Sequence, residues 1–79
     1  MIVETGYVIV KADVNGVNTY FRGGGRGASE KWAKTLRSAQ IYKGVGNARK
    51  SIATSNKIAY YDRDSCRVLK VKVILEDAQ

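Results

Sequence analysis

The chain has 79 residues, 14 of them Lys or Arg against 7 Asp or Glu, with no histidine and a single cysteine, Cys66, for a formal net charge of +7. One cysteine excludes an internal disulfide, and without histidine neither the ordinary zinc constellations nor a Ser-His-Asp or Cys-His nucleophile can be assembled. A chain of this size makes one domain, 1–79, burying roughly 60 to 65% of its unfolded surface, and such a core supplies only about 3 to 5 kcal/mol unaided.

Apolar residues make up 44% of the chain, with five Tyr, one Trp and one Phe, so it is globular rather than disordered. The segment Val14 to Tyr61 carries nine basic residues and one acid, Glu30, which makes the middle of the chain attractive to an anionic partner. A solubilising surface has the same composition. The amino terminus lacks a basic region followed by an apolar run, and no stretch approaches the ~20 apolar residues that span a bilayer. A reduced, cytoplasmic setting is expected.

Thr5 to Val14 is rich in β-branched and aromatic residues and reads as a strand, with Tyr7, Ile9 and Lys11 on one face and Val8, Val10 and Ala12 on the other. Asn15-Gly16 suits the two positive φ angles of a type I′ turn, so Val17 to Arg22 is expected to return antiparallel. The glycine-rich run Gly23 to Gly27 is too flexible for regular structure. With Arg22 and Arg26 it resembles the RGG segments of RNA-binding proteins, although it equally reads as a plain connecting loop, and it lacks the GK[ST] ending of a Walker A loop.

Trp32 to Gln40 fits either period: Trp32, Leu36 and Ala39 share a helical face, while Glu30 to Thr35 also reads as a third strand with Trp32 inward. The run from Trp32 through Thr35 to Ala39-Gln40-Ile41-Tyr42-Lys43, Gly44, Ala48-Arg49 and Ile52 resembles a pattern of short phage and prophage proteins that follows an N-terminal hairpin. That resemblance covers roughly the first fifty-five residues. It implies a phage accessory role, with a helical turn capped by Thr35, a brief strand at Gln40 to Lys43, and a helix opening at Gly46 or Asn47 and running to about Ser55. It carries no active site. From the residues themselves, Ala48 and Ile52 lie on one helical face with Arg49 and Lys50 to the side, Asn47 as N-cap and Val45 as a hydrophobic staple.

Ser55 to Ser65 reads as a loop or irregular hairpin anchored by Tyr60-Tyr61. Cys66 to Glu76 is a strand with Leu69, Val71, Val73 and Leu75 on its apolar face and Val68, Lys70, Lys72 and Ile74 on a mixed one. The expected fold is α+β: a small antiparallel sheet built from the N-terminal hairpin and the C-terminal strand, with one main helix packed on it. Its core is expected to hold Tyr7 or Val8, Ile9 or Val10, Phe21, Trp32, Leu36, Ala39, Ile41, Ala48, Ile52, Leu69, Val71 and Val73.

No enzyme, cofactor or metal is expected. Asp62 and Asp64 could in principle hold Mg²⁺, but Arg63 between them competes as an ion partner, and Cys66 suits a small buried hydrophobe better than a nucleophile. The expected function is that of a non-enzymatic phage-type accessory or inhibitor protein whose basic face binds a host or defence nucleoprotein or its acidic surface. Direct, sequence-independent DNA or RNA binding is the alternative. Candidate contacts for either partner are Arg22, Arg26, Lys31, Lys34, Arg37, Lys43, Arg49, Lys50 and Lys57, with Tyr20 and Trp32 available for stacking or for the core. No membrane partner is expected, and a homodimer through the edge of the last strand stays open.

Overall fold

The computed structural model describes residues 2–23 and 31–75. The α+β architecture is confirmed: four antiparallel strands, β1 (Ile2–Ala12), β2 (Asn18–Phe21), β3 (Trp32–Ala33) and β4 (Arg67–Leu75), lie in the order β3-β2-β1-β4 with one main helix, α1 (Val45–Thr54). Short 3-10 helices at Leu36–Ser38 and Tyr60–Ser65 complete the elements.

β1 is the long strand because its β-branched residues are uninterrupted by proline, and it pairs on both sides. Val10, Lys11 and Ala12 face Tyr20, Thr19 and Asn18 of β2, while Ile2 to Val10 face Leu75 to Arg67 of β4. Tyr7 also exchanges both backbone hydrogen bonds with Tyr42, at 2.9 and 2.8 Å, so the brief strand expected at Gln40 to Lys43 is reduced to a single bridge.

The hairpin turn forms where expected but not as type I′. Among the described residues none other than glycine takes a positive φ, so Asn15 is excluded from the left-handed region. Asp13 is the reason: its Oδ1 accepts from the amides of Asn15 and Val17, its carbonyl accepts from Gly16, and only Gly16, at φ +78°, is left-handed. The carboxylate stabilises an ordinary turn closed by a glycine, and the return strand shortens to Asn18–Phe21.

Pairing and period two sort the sheet into two faces. Tyr7 and Ile9 of β1 share a face with Lys70 and Val68 of β4, and this is the face α1 covers. Ile9, Phe21, Ala48 and Ile58 form the buried cluster, with Tyr7, Trp32, Tyr42, Ile52, Cys66 and Val68 packed around it. Burying each large apolar side chain contributes about 1.5 to 3 kcal/mol.

This reverses the expected orientation of β4. Its mixed face supplies Val68 to the core, and the aliphatic row of Leu69, Val71 and Val73 lies on the side opposite α1, beside the 3-10 helix at Leu36–Ser38. Leu69, Ile41 and Leu36, all expected in the core, are 42%, 50% and 44% exposed, because they lie on or beside that side. Val8 and Val10 are nevertheless fully buried there.

Three local expectations also change. α1 begins at Val45 with Gly44 as N-cap and no side-chain cap, so Asn47 is not the cap and Val45 is helical rather than a staple. The reason is that Gly44 is extended at φ −133°, and its carbonyl accepts from the Ala48 amide at 3.3 Å. The segment after α1 is anchored by Ile58, 1% exposed, while Tyr60 and Tyr61 are each 83% exposed in the second 3-10 helix. The stretch from Trp32 splits between the two readings: Trp32–Ala33 is strand, and Thr35 then caps Leu36–Ser38 through its carbonyl rather than its side chain.

A Cβ added at Gly6 would sit 2.5 Å from Ile41 Cγ2, whereas at Gly46, in the first turn of α1, it meets nothing within 4 Å. Gly6→Ala should therefore destabilise by about 1 to 3 kcal/mol through overpacking, and Gly46→Ala should stabilise by about 0.4 to 1 kcal/mol. Denaturant melts of the two variants measure both.

Candidate interaction surface

Among the described residues the candidate cations are carried by several separate parts of the fold. Arg22 and Lys31 are joined at the β2–β3 connection, where the Arg22 amide donates to the Lys31 carbonyl at 2.8 Å, and Lys34 follows β3; all three are exposed. Arg37 lies apart, lining with Leu36, Ile41, Val71 and Val73 a shallow cleft of about 430 Å³. Lys57 ties the end of α1 to β2, its Nζ donating to the Gly23 carbonyl at 3.0 Å. Arg26 lies outside the described residues, as does most of the glycine-rich run.

The remaining candidates, Lys43, Arg49 and Lys50, are carried at or on α1 and exposed. Ala48 and Ile52 turn inward, which puts Arg49 beside β4. Arg49 lines a cleft of about 430 Å³ between α1 and the strand, facing Lys70. The floor is apolar, built from Tyr7, Val45, Ile52, Val68 and Cys66. Lys72 follows two residues along β4 on the same face as Lys70, and both are exposed.

Arg67 borders the cleft through its position on β4, but its guanidinium donates to Asn18 Oδ1 at 2.9 Å, reaching across β1 on the side opposite α1. Lys70 and Lys72 were absent from the candidates drawn from the sequence. The signal for them was present: two lysines alternating with aliphatics in the last strand mark a strand edge as well as a wet face.

The stacking candidates are occupied in different ways. Trp32 packs on Phe21, ring centroids 5.5 Å apart and planes at 57°, and its own face is covered by Lys11 Nζ at 4.6 Å from the ring centre. Tyr20 is half-buried on β2 opposite Val10 and Ala33. The rings most open to solvent are Tyr60 and Tyr61, and the Arg63 guanidinium lies 5.5 Å from the centre of Tyr60.

Lys11 also closes the question of Asp62. Its Nζ pairs with Asp62 Oδ2 at 3.0 Å, so the ion partner is Lys11 rather than Arg63, whose guanidinium donates to the Ser55 carbonyl. Among the described residues no three His, Cys, Asp or Glu side chains come together as metal ligands do. No helix among them is long and apolar enough to cross a membrane.

Cys66 sits half-buried at the start of β4, its thiol donating to the Asp62 carbonyl at 3.3 Å. Burial pushes its pKa above the ordinary thiol value, opposed by the Lys11 cation and reinforced by the Asp62 carboxylate. The neutral thiol therefore predominates near neutral pH, the opposite of an activated nucleophile.

Comparison of the chain with protein-family models, with curated proteins and with solved structures finds no match. The candidate surface thus rests on its own geometry: a basic, apolar-floored cleft beside an edge strand.

Iodoacetamide should alkylate Cys66 in the native protein at least about tenfold more slowly than in denaturant at mildly alkaline pH. Because the folded thiol titrates above the unfolded one, the stability it contributes is present below the ordinary thiol pKa and is lost as pH rises through the folded value. Equal alkylation rates in the two states would show a thiol open to solvent.

Proposed function

We propose that the protein is a non-enzymatic accessory or inhibitor module that docks its α1–β4 side onto an acidic surface of a partner protein or nucleoprotein. One observation carries this reading: Arg49 and Lys70 flank an apolar floor containing Tyr7, Ile52 and Val68. Arginine beside aromatic and aliphatic area is the composition of a protein-interface core, whereas phosphate binding is carried by the cations and does not call for an apolar floor. The resemblance to short phage and prophage proteins supports a role in host takeover or anti-defence within a host cell's cytoplasm. The net charge of +7 supports an anionic partner and fast, salt-sensitive association.

Direct DNA or RNA binding is the second reading, favoured by the exposed rings of Tyr60 and Tyr61 together with the exposed Arg22, Lys31 and Lys34. There the rings would stack on bases and the cations would follow the phosphates.

The two readings separate in a pull-down of tagged protein from host lysate with and without nuclease, repeated with Arg49→Glu/Lys70→Glu and with Lys31→Glu/Lys34→Glu. The docking reading expects one protein retained after nuclease and lost, by more than about tenfold in affinity, only in the first variant. Recovery that vanishes with nuclease, or that depends on Lys31 and Lys34 instead, supports nucleic acid and overturns docking at the cleft.

A further inference from the structure

β4 is an open edge. It pairs with β1 along its whole length, from Arg67 opposite Val10 to Leu75 opposite Ile2, and among the described residues no other strand lies beyond it in the sheet. Among the described residues no backbone hydrogen bond reaches β4 from any segment outside β1. Alternate residues of the strand therefore present their N–H and C=O groups outward, which is the template for adding a strand.

The side chains along that edge alternate in chemistry. Lys70 and Lys72 fall on the face that α1 covers, Lys70 across the cleft from Arg49 and Lys72 one pleat further along beyond the cleft, while Leu69, Val71 and Val73 fall on the opposite face. We propose that β4 receives an extended segment of a partner protein, added as a fifth strand, in which acidic and aliphatic residues alternate. Its carboxylates lie beside Lys70, Lys72 and Arg49, and its aliphatic side chains extend the row of Leu69, Val71 and Val73. This inference rests on the acidic-partner reading of the α1–β4 side and gives that partner a conformation and a pattern.

Charge decides against a second copy of this chain as the added strand. A copy related by a two-fold axis normal to the sheet and centred on Lys70, Val71 or Lys72, the registers with the longest overlap, sets Lys70 against Lys72 or one of them against itself, and like charges directly opposite destabilise a strand pair. A flipped copy sets the lysines against Val71, Val73 or Leu69. The chain also brings +7 to each side of such a pair. An acidic strand meets the same positions with opposite charge.

The test uses two capped synthetic peptides of one composition, one alternating glutamate with valine and one with the glutamates and valines in separate blocks, titrated into the isotopically labelled full chain. The alternating peptide should slow hydrogen exchange at the outward amides of β4 and bind at least tenfold more tightly than the block peptide. Lys70→Glu/Lys72→Glu should abolish that preference while hydrogen exchange elsewhere in the sheet confirms that the variant is folded. Equal binding of both peptides, with shifts at Arg49 and no new protection in β4, overturns strand addition but leaves an acidic partner at the cleft. If neither peptide binds while duplex or single-stranded nucleic acid does, both the added strand and the acidic-protein reading fall. A rise in molecular mass with protein concentration, accompanied by protection of β4 without peptide, identifies a second copy as the strand and also overturns the proposal.

Discussion

Every other element takes its position from the hydrogen-bond ladders of β1. Eleven residues long, β1 holds β4 along one edge and β2 and the Tyr42 bridge along the other. Val8, Ile9 and Val10 are consequently buried in succession, which a two-sided sheet does not ordinarily permit without a covering layer on each face. Here one face has α1, and on the other Ile41 is drawn in over β1. The approach of Ile41 to Gly6, where any Cβ would crowd its methyl, shows how closely that second cover is drawn in.

The helix side is held together by a polar latch over an aromatic pair. Lys11 reaches from β1 to cover Trp32 of β3 and to pair with Asp62 of the second 3-10 helix, so a single cation joins three separated parts of the chain. Both members of the ion pair are only about a fifth exposed, at 19% and 21%, and a pair so placed is screened less than one on the open surface. Tying Asp62 down also positions Cys66, whose thiol bonds the Asp62 carbonyl just before β4 begins.

A fold this small leaves surface that larger domains cover. With one α-helix for two faces, the row of Leu69, Val71 and Val73 remains partly open, and with four strands in an open sheet β4 remains an edge. Natural proteins guard such edges with lysine, and Lys70 and Lys72 are placed to do so. The two lysines that would repel another copy of β4 are the ones the proposal sets against an acidic strand, so on that reading one charge pattern serves both ends. The cations of the β2–β3 connection lie elsewhere, which is why total charge alone did not locate the α1–β4 cleft.

Local chemistry in the residues was enough to define the hairpin, the helix and the last strand. Alternation, the Asn15-Gly16 pair and the four-residue spacing of Ala48 and Ile52 act over a few neighbours, and each appears where those neighbours put it. Asp13 altered the turn type because a side-chain acceptor outweighed the preference of the dipeptide. The absence of histidine likewise removed whole classes of chemistry before any fold was known. Which face of β4 meets the helix is a different kind of question, because two strands and a helix must be paired before a face has an inside. Hydropathy favoured the aliphatic row, yet the register of β4 on β1 put Val68 beside Ile9 and turned Leu69 away. Ile58, the anchor of an otherwise polar loop, and the meeting of Arg49 with Lys70 across 21 residues of chain, depend on the same long-range pairing, and no local pattern carries it.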